Sequence, residues 1–122
     1  MLNLNSLMIG TMQPKVMAEF YEKVLGKPAD MADGQWYGWK VGSVFLSVGE
    51  HSEMKGAAKD PGRVMFNLET KDVKSEFERI KKLGAKVIKE LYEMSDEGGQ
   101  GMWIATFADP DGNYFQLMTP WE

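Results

Sequence analysis

Residues Pro14–Gly26, PKVMAEFYEKVLG, set the reading of the whole chain. Val16, Met17, Phe20, Tyr21, Val24 and Leu25 recur at three- and four-residue spacing, so one face of a helix is apolar. Pro14 suits a first-turn position, and Gly26 suits the left-handed residue that ends a helix. A second segment repeats the pattern. Asp72 is a good N-cap, Val73, Phe77, Ile80 and Leu83 form the apolar stripe, and Gly84 closes it. Both helices end Leu-Gly, 58 residues apart. The outer face of the second, with Lys74, Glu76, Glu78, Arg79, Lys81 and Lys82, reads as solvated.

Strand-like pieces surround each helix in the same order. Leu4–Thr11 precedes the first, and Lys27–Met31, Trp36–Val41 and Val44–Val48 follow it, with turn signals at Asp33-Gly34 and Gly42-Ser43. Val64–Thr70 precedes the second, and Lys86–Tyr92, Met102–Ala108 and Tyr114–Met118 follow it. A tight turn is expected at Asp109-Pro110-Asp111-Gly112-Asn113. Each half therefore reads strand, helix, strand, strand, strand. The expectation is one α+β domain over residues 1–122: module one at about 1–49, a Gly-rich charged linker at about 50–63, and module two at about 64–122. Ser95–Gly101 reads as a mobile loop.

Composition removes several function classes. The 122 residues hold no Cys and a single His, His51, which excludes disulfides, thiol nucleophiles, zinc ribbons and multi-histidine metal sites. A net charge of −4 argues against a nucleic-acid partner. No apolar run is long enough for a membrane span, and MLNLNSLMIG has no signal-peptide pattern, so a cytoplasmic location without membrane partners is expected. Gly98-Gly99-Gln100-Gly101 does not lead into a helix, so it is no phosphate loop.

The helix end Phe20-Tyr21-Glu22-Lys23-Val24-Leu25-Gly26 and the later Phe107-Ala108-Asp109-Pro110-Asp111-Gly112-Asn113, set in paired βαβββ halves, resemble the vicinal oxygen chelate superfamily. That superfamily includes glyoxalase I, bleomycin-resistance proteins and extradiol dioxygenases. The resemblance covers essentially the whole chain. It implies a curved mixed sheet with helices outside and a concave cleft inside. In metal-using members it implies ligands from the opening and closing strands of each module, usually His, Gln or Glu. The matching positions here are Ser6, Leu46, Met65 and Gln116. A hydroxyl, an alkyl group, a thioether and an amide are a poor donor set for a hard cation or zinc, so neither metal nor cofactor is expected.

Strand alternation then assigns the cleft. Ser6 brings Leu4 and Met8 inward, Leu46 brings Val44 and Val48, Met65 brings Arg63, Asn67 and Glu69, and Gln116 brings Tyr114 and Met118. The candidate ligand-binding residues are Ser6, Met8, Leu46, Met65, Asn67, Trp103, Tyr114 and Gln116; no catalytic residue is named. Trp36, Tyr37, Trp39 and Trp103 form a candidate aromatic rim, although alternation sets Trp36 against Tyr37 and Trp39. Met8 and Met65 suit a soft pocket and a closed core equally. His51, with Glu50 and Glu53, reads as a solvent-exposed linker residue, and Asp109 and Asp111 read as turn formers.

The resulting expectation is metal-independent binding of a small apolar organic molecule, aromatic or cationic, by a homodimer similar to drug-sequestering members of the superfamily. Two alternatives stay open. One is a glyoxalase-like lyase, isomerase or dioxygenase with a displaced metal site; the other is a degenerate accessory or regulatory module.

Overall fold

The structure, a computed structural model, describes residues 1–51, 54–94 and 101–120. It divides into two units, Met1–Gly56 and Ala57–Glu122.

In the first unit, β1 (Ser6–Thr11) leads into α1 (Pro14–Leu25), followed by β2 (Met31–Asp33), β3 (Trp36–Val41) and β4 (Val44–Glu50). The strand order is β1-β4-β3-β2, with β1 parallel to β4 and the other pairs antiparallel. Pro14 opens the helix and Gly26 ends it at φ 79°, where its N–H donates to Glu22 O over 2.9 Å. Met17, Ala18, Tyr21 and Val24 are the buried stripe. They pack on the sheet face that carries Trp39, Leu46 and Val48, all buried. Trp39 is wholly enclosed, and its indole Nε1 donates to Lys27 O just past the helix over 3.1 Å. Burying a side chain of this size contributes ~1.5–3 kcal/mol, and the hydrogen bond keeps its polar edge from costing that gain.

The second unit repeats the order: β5 (Phe66–Glu69), α2 (Val73–Lys82), β6 (Lys86–Glu93), β7 (Trp103–Ala108) and β8 (Tyr114–Met118). Its sheet is ordered β5-β8-β7-β6, with β5 parallel to β8. The core is a run of rings. Phe77 of α2 lies 5.4 Å from Phe107, Phe107 lies 5.7 Å from Phe115, and Phe115 lies 5.7 Å from Phe66. Phe66, Phe115 and Phe107 are register partners across three strands, so pairing places them on one face. Val73, Ile80, Ala105 and Leu117 complete the core.

The turn before β8 is built by one carboxylate. Asp109 Oδ1 accepts from the backbone N–H groups of Asp111 and Asn113, each at 2.9 Å, and the Asn113 amide bonds both Asp109 oxygens. Asp109 and Asp111 are buried, in the turn-forming role expected of them.

Several boundaries differ from expectation. β2 begins at Met31 rather than Lys27, because Asp30 Oδ2 accepts from Lys40 N at 2.7 Å and from Lys27 Nζ at 2.9 Å, fixing 27–30 as a tethered loop. β4 runs on to Glu50, which shortens the expected linker. Asp72 sits at the N-cap of α2, but its side chain makes no capping bond. The expected mobile loop at 95–101 lies, apart from Gly101, outside the described residues. Among the described residues no helix is long and apolar enough to cross a membrane.

Candidate functional site

Each sheet carries its unit's helix on one face; the helix-free face, called open below, still buries Ser47, Thr106 and Met118. In the second unit the open face carries a polar row. Asn67 of β5 pairs with Gln116 of β8, and Gln116 pairs with Thr106 of β7, so the three side chains lie side by side. Gln116 Nε2 donates to Thr106 Oγ1 at 3.2 Å. Asn67 is exposed, and its amide has no partner among the described residues.

Two residues before Gln116, Tyr114 shares this face by alternation and borders a surface depression of about 390 Å³ with Asp60, Pro61, Gly62 and Arg63. A Cβ on Gly62 would stand in ordinary contact with the Tyr114 ring, so any larger residue there would narrow the depression. Met65 precedes β5 and is part-exposed. Of the depression's walls, only Arg63 and Tyr114 carry a sequence signal, through alternation from Met65 and Gln116. Asp60–Gly62 reads in sequence as linker and enters the wall only because the backbone folds over Tyr114.

In the first unit the open face carries Ser6 and Met8 of β1, with Phe45, Ser47 and Gly49 of β4 in register beside Ser6, Met8 and Gly10. Trp36 pairs with Gly49, and its indole lies across that glycine; a Cβ on Gly49 would overlap the ring. Phe45 covers Gly38 in the same way. Glycine is needed at both positions because an aromatic ring occupies the space of its side chain.

Two expected site residues fall elsewhere. Leu46 is the register partner of Leu7 and Trp39, not of Ser6, and is 3% exposed beneath α1. The apolar alternation Val44, Leu46, Val48 is the core face of β4, and counting from the Gly42 turn put the strand one residue out of phase. Trp103 is corrected too. Ile104 pairs with Met118 on the open face, so Trp103 lies on the helix side, with Lys74 Nζ 4.3 Å from its ring centroid. There it joins Lys71, Ser75 and Thr119 around a second depression, of about 440 Å³. Trp39 and Tyr37 are likewise on the helix-side face, and only Trp36 of that group is on the open one. His51 is exposed beyond β4, and Glu53 lies outside the described residues.

The donor chemistry of the open faces does not fit a hard or borderline divalent ion. The rows are Ser6 with Phe45, Met8 with Ser47, Asn67 with Gln116 and Thr106, and Glu69 with Met118. No row offers two carboxylate or imidazole donors. Among the described residues no three His, Asp or Glu side chains converge.

Residues 6–118 match the glyoxalase-like domain. The chain belongs to that family. It is thereby a member of the vicinal oxygen chelate superfamily, with the paired βαβββ architecture seen in both units. Solved structures share the fold at low identity. One described as a conserved domain protein matches at TM-score 0.79 and 20% identity, over 98% of this chain and 100% of that one. A glyoxalase-related enzyme from Fulvimarina pelagi matches at TM-score 0.77 and 14% identity, over 98% and 89%. A glyoxalase/bleomycin resistance protein/dioxygenase family enzyme from Burkholderia phytofirmans PsJN matches at TM-score 0.75 and 20% identity, over 97% and 98%. No curated protein matches the chain. This glyoxalase-like domain therefore shares its fold with proteins described both as enzymes and as resistance proteins, and the fold alone does not choose between them.

Proposed function

We propose that this glyoxalase-like domain binds a small organic molecule without a metal, on the open face of the sheet that carries Asn67, Gln116 and Thr106. The observation that supports the reading is that row: two amides and a hydroxyl, in register, with the neutral Gln116 at a position where the superfamily resemblance implies a metal ligand. Neutral amides orient a ligand's carbonyl, hydroxyl or amine groups. Met65 and Tyr114 add soft and aromatic surface beside them, the mixture usual in ligand sites. On the first unit's sheet, Ser6 and Met8 with Trp36 and Phe45 offer a comparable surface for a planar apolar or cationic group. Binding would be stoichiometric, with affinity from apolar burial at ~25 cal/mol per Å² less the ordering costs. A homodimer belongs to the same proposal, supported by the exposure of Leu2, Leu4 and Val64 and tested by light scattering, and so does a cytoplasmic location, tested by cell fractionation.

The test is a thermal-shift screen of planar neutral and cationic aromatic compounds, run beside Zn²⁺, Ni²⁺ and Mn²⁺. Stabilisation by a compound, lost in Asn67→Leu/Gln116→Leu while the divalent ions do nothing, supports the proposal. Stoichiometric retention of a divalent ion that depends on Gln116 overturns it, as does compound binding that the double variant leaves unchanged.

A further inference from the structure

The first unit holds a cluster of soft donors around Gly10, of which the proposed function uses only the flanking Met8 and Trp36. A Cβ on Gly10 would lie 2.8 Å from Met54 Cγ, 3.1 Å from Met54 Sδ and 3.1 Å from His51 Cβ, so both residues fold back over the strand at this glycine. Met12 Sδ accepts from Gly56 N at 3.1 Å, which draws a second thioether to the same segment, two residues from Met54. Met8 stands one alternation before Gly10 on the same face of β1. Gly10 pairs with Gly49, and Gly49 with Trp36, so the indole completes the row.

We propose that Met12, Met54 and His51, flanked by Met8 and Trp36, form a binding site for a soft monovalent cation of the copper(I) class. Thioethers are neutral, polarisable donors. They bind zinc, magnesium and calcium poorly and copper(I) and silver(I) well, and imidazole serves the same ions. With no thiolate in the chain, the site would hold its cation exchangeably rather than permanently. Packing does not account for the methionines, because Met8 is 61%, Met12 60% and Met54 38% exposed. Three rotatable bonds let each sulfur swing onto a shared ion without moving the backbone. The Trp36 ring adds an electron-rich face beside that position. The absence of a side chain at Gly10 is what opens the space, since a Cβ would press into Met54.

Silver(I) is the redox-inert probe. Silver nitrate is titrated into the full chain in chloride-free buffer, with calorimetry, tryptophan emission and methionine ε-methyl NMR as readouts. One equivalent should bind with a micromolar or tighter dissociation constant, shifting the Met12 and Met54 methyl resonances and changing Trp36 emission. Met12→Leu/Met54→Leu should weaken binding on the order of tenfold or more, whereas Met102→Leu in the other unit should not. Copper(I), presented against bathocuproine disulfonate, should follow the same order among the variants. Absence of a stoichiometric event overturns the proposal, and so do methyl shifts confined to other methionines. The methyl map is read on the unaltered chain, so it decides the matter even if the double variant fails to fold.

Discussion

Gln116 donates to Thr106 across the β7–β8 ladder at 3.2 Å, and Thr106 is itself buried. The bond thus satisfies a buried hydroxyl with a side-chain amide of the neighbouring strand. Gln116→Leu should cost about 1–2 kcal/mol, because the Thr106 hydroxyl loses its partner in a place water reaches poorly. Thr106→Val in the same background should recover part of that loss. Urea unfolding of the single and double variants measures the coupling directly.

Gly49 should tolerate no side chain. Even Ala places a Cβ inside the Trp36 indole, so Gly49→Ala should destabilise the chain by roughly 1–3 kcal/mol and displace the ring into water. A red-shifted tryptophan emission, reversed by Trp36→Gly in the Ala background, is the expected signature. Unchanged stability and emission would show that the indole does not cover Gly49.

Trp39 couples the end of α1 to the sheet. Trp39→Phe leaves a void beneath Leu46 and Val48 and deprives Lys27 O of its donor. The loss should be about 2–4 kcal/mol, above the ordinary range for a conservative aromatic exchange. Chemical denaturation with coincident helical and aromatic signals checks it.

Asp109 organises the turn before β8 with four hydrogen bonds. Asp109→Ala orphans the N–H groups of Asp111 and Asn113 in a buried turn, for a loss of roughly 2–4 kcal/mol. Asp109→Asn keeps one acceptor oxygen and should lose less. Thermal unfolding of the two variants should rank them in that order.

Acid should act on the loop at 27–30. The Lys40 backbone N–H and then the Lys27 ammonium hold the Asp30 carboxyl below its ordinary value of 3.8. A lowered folded-state value means that the contribution is fully present above the unfolded value and is lost as pH falls through the folded one. Asp30→Asn should therefore differ from the parent chain near neutrality and converge on it in acid. Unfolding midpoints from about pH 6 to about pH 2 test the convergence. A difference that stays constant with pH would assign the effect to packing instead.

Much of this architecture was legible in the sequence because local and global preferences agree. Pro14 and Gly26 bound α1 as their chemistry requires, and the alternation of Phe66, Leu68, Phe115 and Leu117 puts the second core where it is found. Asn67 and Gln116 were legible as neighbours on one face for the same reason. Leu46 was not, because its face depends on the β1–β4 register, a pairing between strands some forty residues apart, and the turn at Gly42 does not report it. Trp103 was misplaced because tryptophan suits either face of a strand, and only the Ile104–Met118 pairing decides. The rings over Gly38 and Gly49 were invisible for a different reason: nothing in a sequence marks which glycine lies beneath which aromatic residue.

The pairing of the first and last strand in each unit governs the order in which the chain can assemble. Among the described residues β5 pairs in its sheet with β8 alone, and the partners Phe66 and Phe115 are 49 positions apart. During synthesis, the opening strand must wait, with Phe66 uncovered, until Tyr114–Met118 has left the ribosome, whereas Phe77 of α2 meets Phe107 of β7 earlier. Loop closure over that span makes β8 the late, committing step, and the helix with β6 and β7 the early one. A nascent chain stalled before Tyr114 should accordingly be the form that chaperones hold.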